Sequence, residues 1–314
     1  MALGTVTWWG IANIEIHLDG LDLGFDPYLY PKESALDYIF ITHEHYDHLD
    51  ERTLRPLAES PRLKMLVVPK SAYFASQLHY STESPKPSDL AWADRYRTMV
   101  FYPQVTPGGT RYDGPSEARM GRIHVLGVTS GEQPEEWGDR TPLQEPFPTV
   151  GYVVTDQETG LSFYHPGDIT EPFDELAQLQ GKVTYLFLPI GKLDGAEGRM
   201  VQLVRPKYVI PIHYRLNTPD WPMPLTVREE DIHYINWRNG QPAPGVTFDD
   251  EGFWRDIPKL INGSWYPTLV DPMRFMHDLK AEIGDTAEIV QLHAGRSYSL
   301  DPRSGVIEGA MVVR

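Results

Sequence analysis

Cysteine is absent from all 314 residues of this chain, which excludes disulfides, thiolate metal sites and a cysteine nucleophile. Any metal held here is bound through nitrogen and oxygen, from His, Asp and Glu. Basic residues are scarce as well: 28 Lys and Arg stand against 44 Asp and Glu, a formal charge of −16. Nucleic acid or an anionic membrane would call for clustered Lys and Arg, and no such cluster appears. No apolar run approaches the roughly 18 residues of a membrane-spanning helix. The opening MALGTVTWWG lacks the basic flank and apolar core of a secretion signal. These absences lead us to expect a cytoplasmic protein with a small-molecule substrate and no nucleic-acid or membrane partner; a homo-oligomer is left open.

With 41% hydrophobic and 23% charged residues and no low-complexity tract, the chain has the composition of a folded protein with a sizeable core. Residues 5–9, 14–18 and 21–25 read as strands, and Asp19-Gly20 between the last two is a hairpin signal. Further strands are expected at 38–41, 64–68, 98–102, 122–128, 149–155, 161–165, 183–189 and 208–211, with a last one at 287–292. Helices are expected at about 50–60, 196–204 and 273–283. Residues 80–113 and 130–148 read as long loops rich in Pro and Gly, and the pattern weakens beyond Asn217.

The stretch ITHEHYDHLD, residues 41–50, crowds three histidines and three acids onto the end of the strand at 38–41. In an extended backbone, residues two apart point the same way, so His43, His45 and Asp47 project together, and His48 follows from the turn. Imidazole and carboxylate suit Zn²⁺, Mn²⁺ or Fe²⁺, and H-x-H-x-D-H can feed two ions a few ångströms apart. A histidine-rich solvated turn is the bland alternative, and four ligand-type residues at this spacing weigh against it. Asp168, in YHPGD, and His213, in VIPIHY, each follow another apolar strand. Ligand-type residues at several strand ends fit an α/β layered enzyme with its site along one edge of the sheets.

Taken in order over residues 5–217, TWWGIANIEI, LDLGFDPYL, THEHYDH, YHPGD, LPIG and VIPIHY resemble the metallo-β-lactamase-fold hydrolases, in the branch that contains ascorbate-6-phosphate lactonase. The resemblance implies an αββα sandwich of two mixed β-sheets flanked by helices. It also implies two divalent ions, zinc first and manganese or iron as alternatives. His43 and His45 would hold the first ion, Asp47, His48 and His213 the second, and Asp168 would bridge them. A water or hydroxide between the ions would be the nucleophile, with Asp47 and Asp168 as the catalytic carboxylates.

Two departures from that pattern stand out. The family's further histidine ligand, expected in the loop ahead of the bridging Asp, has no counterpart here, and Glu132 and Gln133 sit nearest its place. A Glu132 ligand would harden the first site toward Mn²⁺ or Fe²⁺. Ile11 stands where many relatives place a histidine close to the metals.

Lys192, just past a strand end on the expected rim of the site, Tyr214 and Arg215 are candidate substrate-binding residues, Lys192 and Arg215 as anchors for an anionic group. Asp26 is expected near the metals, where its carboxylate could hold a histidine N–H. His165 is expected to pack or support rather than ligate, and His124 to lie on a strand face; His17, His79, His233, His277 and His293 carry no spacing signal. Tyr28, Tyr30, Trp92, Trp137, Trp221 and Trp237 could wall a pocket, although loop aromatics more often pack against the fold. The expected organisation is one domain over 1–314, with insertions at about 77–113 and 130–148 and an extension at about 216–285 covering the site. The expected activity is hydrolysis of a small ester, lactone, amide or phosphoester. The alternative is an iron- or manganese-dependent redox enzyme with Glu132 as ligand.

Overall fold

A computed structural model describes residues 4–27, 35–43, 48–49, 51–75, 78–79, 86–87, 97–130, 148–213, 272–293 and 295–313. In chain order the strands begin with β1 (Gly4–Gly10), β2 (Asn13–Leu18), β3 (Leu21–Phe25), β4 (Tyr38–Phe40), β5 (Met65–Pro69), β6 (Leu78–His79), β7 (Lys86–Pro87), β8 (Thr98–Phe101) and β9 (Glu117–Met120). They continue with β10 (Ile123–Thr129), β11 (Val150–Asp156), β12 (Ser162–His165), β13 (Tyr185–Pro189), β14 (Tyr208–Ile212), β15 (Glu288–Gln291), β16 (Ser297–Leu300), β17 (Ile307–Glu308) and β18 (Met311–Val313). The helices are α1 (Glu51–Ala58), α2 (Lys70–Ala75), α3 (Glu197–Val204) and α4 (Pro272–Ile283). No helix among the described residues is long and apolar enough to cross a membrane.

Sixteen of the strands form two eight-stranded mixed sheets, in the orders β17-β16-β1-β2-β3-β4-β5-β8 and β18-β15-β14-β13-β12-β11-β10-β9, and β6 pairs with β7. Period-two alternation assigns the faces. Along β13, Tyr185 and Phe187 join the cluster shared by both sheets, with Trp8, Phe25, Phe40, Phe101, Tyr152 and Phe163. Leu186 and Leu188 point the other way, onto Met200, Val201 and Val204 of α3 and Met276, Leu279 and Ile283 of α4. On the outer face of the first sheet, Ile39, Leu66 and Val68 pack against Leu54, Leu57 and Ala72 of the helices there. The result is the expected αββα sandwich of the metallo-β-lactamase fold.

Hydrogen bonds sew the two sheets together beside the strand ends. Tyr152 Oη donates to Ile41 O at 2.9 Å, Val150 N to Thr42 O at 3.0 Å and His213 N to Ile11 O at 2.8 Å.

The structure departs from the sequence reading in three places. Chain order does not end its strands at 287–292, because β16, β17 and β18 follow. These pieces are two to four residues long, too short to display a period. Second, β9 was missed because its sequence, EARM, is mostly polar and it lies at a sheet edge. Third, α2, β6 and β7 were not expected, whereas the strand expected at 98–102 is present as Thr98–Phe101, which pairs in parallel with β5 and completes the first sheet. Of the stretch 216–285, the described helix α4 packs on the outer face of the second sheet through Met276, Leu279 and Ile283. Those side chains repeat at i, i+3 and i+7, the stripe of an amphipathic helix laid on a layer.

Candidate metal centre

The centre is assembled from turns that follow four strands. His43 and His48 come after β4, Asp168 after β12, His213 after β14, and Asp26 ends β3. All five are buried. Gly167 makes the Asp168 turn feasible: its φ is 63°, and a Cβ there would lie 2.6 Å from Ser130 Oγ and 2.9 Å from Thr42 Cβ.

Asp26 organises the histidine-bearing segment. Its Oδ1 accepts the Thr42 N–H at 2.7 Å, and its Oδ2 accepts the Thr42 hydroxyl and lies 2.7 Å from His48 Nδ1. A carboxylate accepts only, so His48 carries its proton on Nδ1 and turns the Nε2 lone pair outward. The Thr42 hydroxyl, having given its hydrogen to Asp26, accepts from His43 Nδ1 at 3.0 Å, which fixes that ring in the same sense.

These lone pairs converge on Asp168. Its Oδ1 lies 3.2 Å from both His48 Nε2 and His213 Nε2. Donors about 2.0 Å from one tetrahedral ion are about 3.3 Å apart, so each of these two contacts has the length of one edge of a zinc-type site. No hydrogen-bond donor among the described residues reaches Asp168 Oδ1, although the atom is fully buried. A buried carboxylate oxygen in that state calls for a cation, and the nitrogen and oxygen donor set fits a divalent one. His43 Nε2 stands 3.9 Å from the other oxygen, Oδ2, and the ligand atoms of His43, His48 and Asp168 all lie within 4.8 Å of one another. Burial raises the Asp168 carboxyl, but the neighbouring His213, Lys192 and His48 side chains outweigh it and hold the acid well below the usual carboxylate range.

Three non-glycine residues around this centre adopt left-handed backbone: Ile11 (φ 50°), Asp26 (φ 43°) and His213 (φ 63°). Asp tolerates that region, whereas a β-branched residue rarely enters it. The Ile11 carbonyl accepts from both Trp8 Nε1 at 2.9 Å and His213 N at 2.8 Å. The backbone at this position therefore holds the His213 turn in place, whatever the side chain.

Of the residues singled out in the sequence, His43, His48, Asp168 and His213 come together as described. Lys192 reaches further in than a rim residue, with Nζ 2.5 Å from Asp168 Oδ2. His165 stands behind the centre: its Nε2 lies 2.7 Å from Ala12 O, and its Nδ1 accepts the Gly167 N–H at 3.2 Å. Burial lowers its pKa. On a strand face, His124 meets Glu117 Oε1 at 2.7 Å. His45, Asp47, Glu132, Gln133, Tyr214 and Arg215 lie outside the described residues, as do the six loop aromatics. Thr42 was missed in the sequence; its only signal is its place between a strand and the first histidine.

A family profile described as "Beta-lactamase superfamily domain" matches residues 5–213. The chain is 29% identical over 225 residues to a UPF0173 metal-dependent hydrolase of Myxococcus xanthus, covering 67% of this chain and 70% of that one. It is 28% identical over 232 residues to a UPF0173 metal-dependent hydrolase of Carboxydothermus hydrogenoformans, covering 69% and 86%. Among solved structures it is similar to Igni18, a metallo hydrolase of Ignicoccus hospitalis, with a TM-score of 0.55 and 16% identity over 96% of this chain and 99% of that one. It is also similar to a CmlA beta-hydroxylase E377D mutant, with a TM-score of 0.52 and 14% identity over 96% of this chain and 54% of that one. At such identities the structural likenesses speak for the fold alone.

Proposed function

The chain belongs to the beta-lactamase superfamily, and from that membership we propose that it is a metal-dependent hydrolase of small esters, lactones, amides or phosphoesters. The observation that carries this reading is the approach of His48 Nε2 and His213 Nε2 to Asp168 Oδ1, each at 3.2 Å. The names of the Myxococcus and Carboxydothermus relatives support it. Lactones stand first among the substrates, on the motif resemblance over residues 5–217.

In this reading the centre takes two divalent ions, with zinc preferred. His48, His213 and Asp47 would hold one, His43 and His45 the other, with Asp168 shared and Glu132 completing the His43 and His45 set. When bound, such ions lower the pKa of water and polarise the attacked carbonyl or phosphoryl oxygen. The chain's own contribution is positional. Asp26 and Thr42 hold the two imidazoles in the ligating tautomer, and the carboxylate of Asp47 would accept a proton. Tyr214 and Arg215, close after His213 in sequence, would receive the polar end of a substrate.

The test joins metal content to turnover. Elemental analysis of the purified protein, followed by a lactone, ester and phosphodiester screen, is expected to find divalent metal and metal-dependent hydrolysis. Asp168→Ala is expected to lose both together; a variant that keeps full metal content and turnover would overturn the shared-ligand assignment. Iron with a charge-transfer band and oxygen-dependent turnover would replace the hydrolase with the redox reading.

A further inference from the structure

The two oxygens of Asp168 have different company. Oδ1 faces two imidazole nitrogens at 3.2 Å, whereas Oδ2 is 3.9 Å from His43 Nε2 and 2.5 Å from the Lys192 ammonium. One oxygen of the shared carboxylate is thus open to a metal ion, and the other already carries a cation supplied by the chain.

The lysine is delivered there by a fixed turn. After β13, Ile190 N donates to Ile212 O at 3.0 Å and Gly191 N to Glu197 Oε1 at 3.3 Å. Leu193 is buried in the outer core, and its carbonyl accepts Ala196 N–H at 2.8 Å. The Lys192 side chain is only 12% exposed, so its head lies in the centre rather than in solvent. A divalent ion and an ammonium on the same carboxylate oxygen repel one another about twice as strongly as two unit charges, in surroundings that screen poorly. They therefore compete. Nor does the chain offset that competition with a further imidazole from the preceding loop, since no histidine lies between Val125 and Pro148.

We propose that the Lys192 ammonium holds the cation position on the His43 side of Asp168, so that the two metal positions are unequal. The position at His48, His213 and Asp168 Oδ1 fills first and tightly. The one at His43 fills only when the ammonium is displaced from Oδ2. This rests on the metal-centre reading above and adds that Lys192 sets the metal stoichiometry.

The experiment is calorimetric titration of the metal-stripped full chain with Zn²⁺ and with Mn²⁺, backed by elemental analysis after desalting, for the wild type, Lys192→Met and Lys192→Gln. The wild type is expected to retain one ion per chain, with a second step at least tenfold weaker. Removing the ammonium is expected to tighten that second step tenfold or more and to leave two ions bound after desalting. Two equal steps in the wild type, or an unchanged second step in both variants, overturns the proposal while leaving the metal centre standing. If Lys192→Met fails to fold, as judged by circular dichroism, Lys192→Gln carries the comparison. Loss of all binding in a folded variant also overturns it, since Lys192 would then support the ligands rather than compete with the metal. No uptake by the wild type removes the metal-centre reading itself.

Discussion

Asp26 Oδ2 lies 2.7 Å from His48 Nδ1, on the side of the ring away from Asp168, so one buried carboxylate aims an imidazole at another. Such outer partners fix the tautomer and raise ligand basicity, and losing one typically weakens metal binding about 10- to 100-fold. Asp26→Asn keeps the volume but weakens the acceptor facing His48. We expect its metal affinity, measured by chelator competition, to fall within that range while the fold is retained. Wild-type affinity in the variant would show that His48 is oriented by something other than Asp26.

Much of this arrangement is legible in the sequence because it is local. Asp19-Gly20 announces the β2–β3 hairpin, a continuous apolar run marks β13, and His43, Asp168 and His213 each sit where an apolar run stops. What the sequence does not reveal is which strand-end turns meet. Lys192 reads as a rim residue because nothing in PIGKLD tells where its head lands; that depends on the pairing of β13 with β14 and on Glu197 binding Gly191 N. Ile11 reads as a lost histidine, yet its role is carried by a carbonyl, which no side-chain pattern records. The closing strands β16 to β18 escape for another reason: they are held by their neighbours and too short to carry a period of their own.

Gly167→Ala tests the turn before Asp168. Left-handed backbone costs a residue with a Cβ roughly 1–2 kcal/mol, and here the added atom also runs into Thr42 and Ser130. Destabilisation of about 2 kcal/mol or more is expected in urea unfolding of the metal-free protein, together with weakened metal uptake, because Asp168 must shift to relieve the contact. A change below about 0.5 kcal/mol, the range of an indifferent surface substitution, would mean that the turn relaxes freely.

Metal removal is expected to lower thermal stability, since an ion that binds the folded chain alone stabilises it in proportion to the logarithm of its concentration. At about 100 times the dissociation constant the gain is about 2.7 kcal/mol. Scanning calorimetry with and without a chelator should show a lower Tm in the stripped protein, recovered by Zn²⁺ or Mn²⁺ and not by Mg²⁺, which rarely settles among imidazoles. The shift should be lost in Asp168→Ala. An equal shift in that variant would place the stabilising ion elsewhere.

A separate charge cluster sets an alkaline limit on stability. His17 on β2 is clamped between two carboxylates, with Nδ1 2.6 Å from Asp22 Oδ1 and Nε2 2.5 Å from Glu15 Oε1. Glu15 is itself buried and accepts from Trp9 Nε1 at 2.9 Å, while Arg62 pairs with the far oxygen of Asp22. The hydrogen bonds to Asp22 and then Glu15 outweigh partial burial and raise His17 from 6.5 to about 9. The sign follows from linkage: a group whose folded pKa lies above its unfolded one binds more protons in the folded state. Its contribution is therefore fully present below pH 6.5 and is lost as pH rises through about 9. His17→Gln removes the titration but keeps hydrogen-bonding capacity. The Tm difference between wild type and His17→Gln, followed from pH 6 to pH 10, should be largest at the acid end and shrink steadily across that window. A difference independent of pH would mean that His17 is neutral in its clamp.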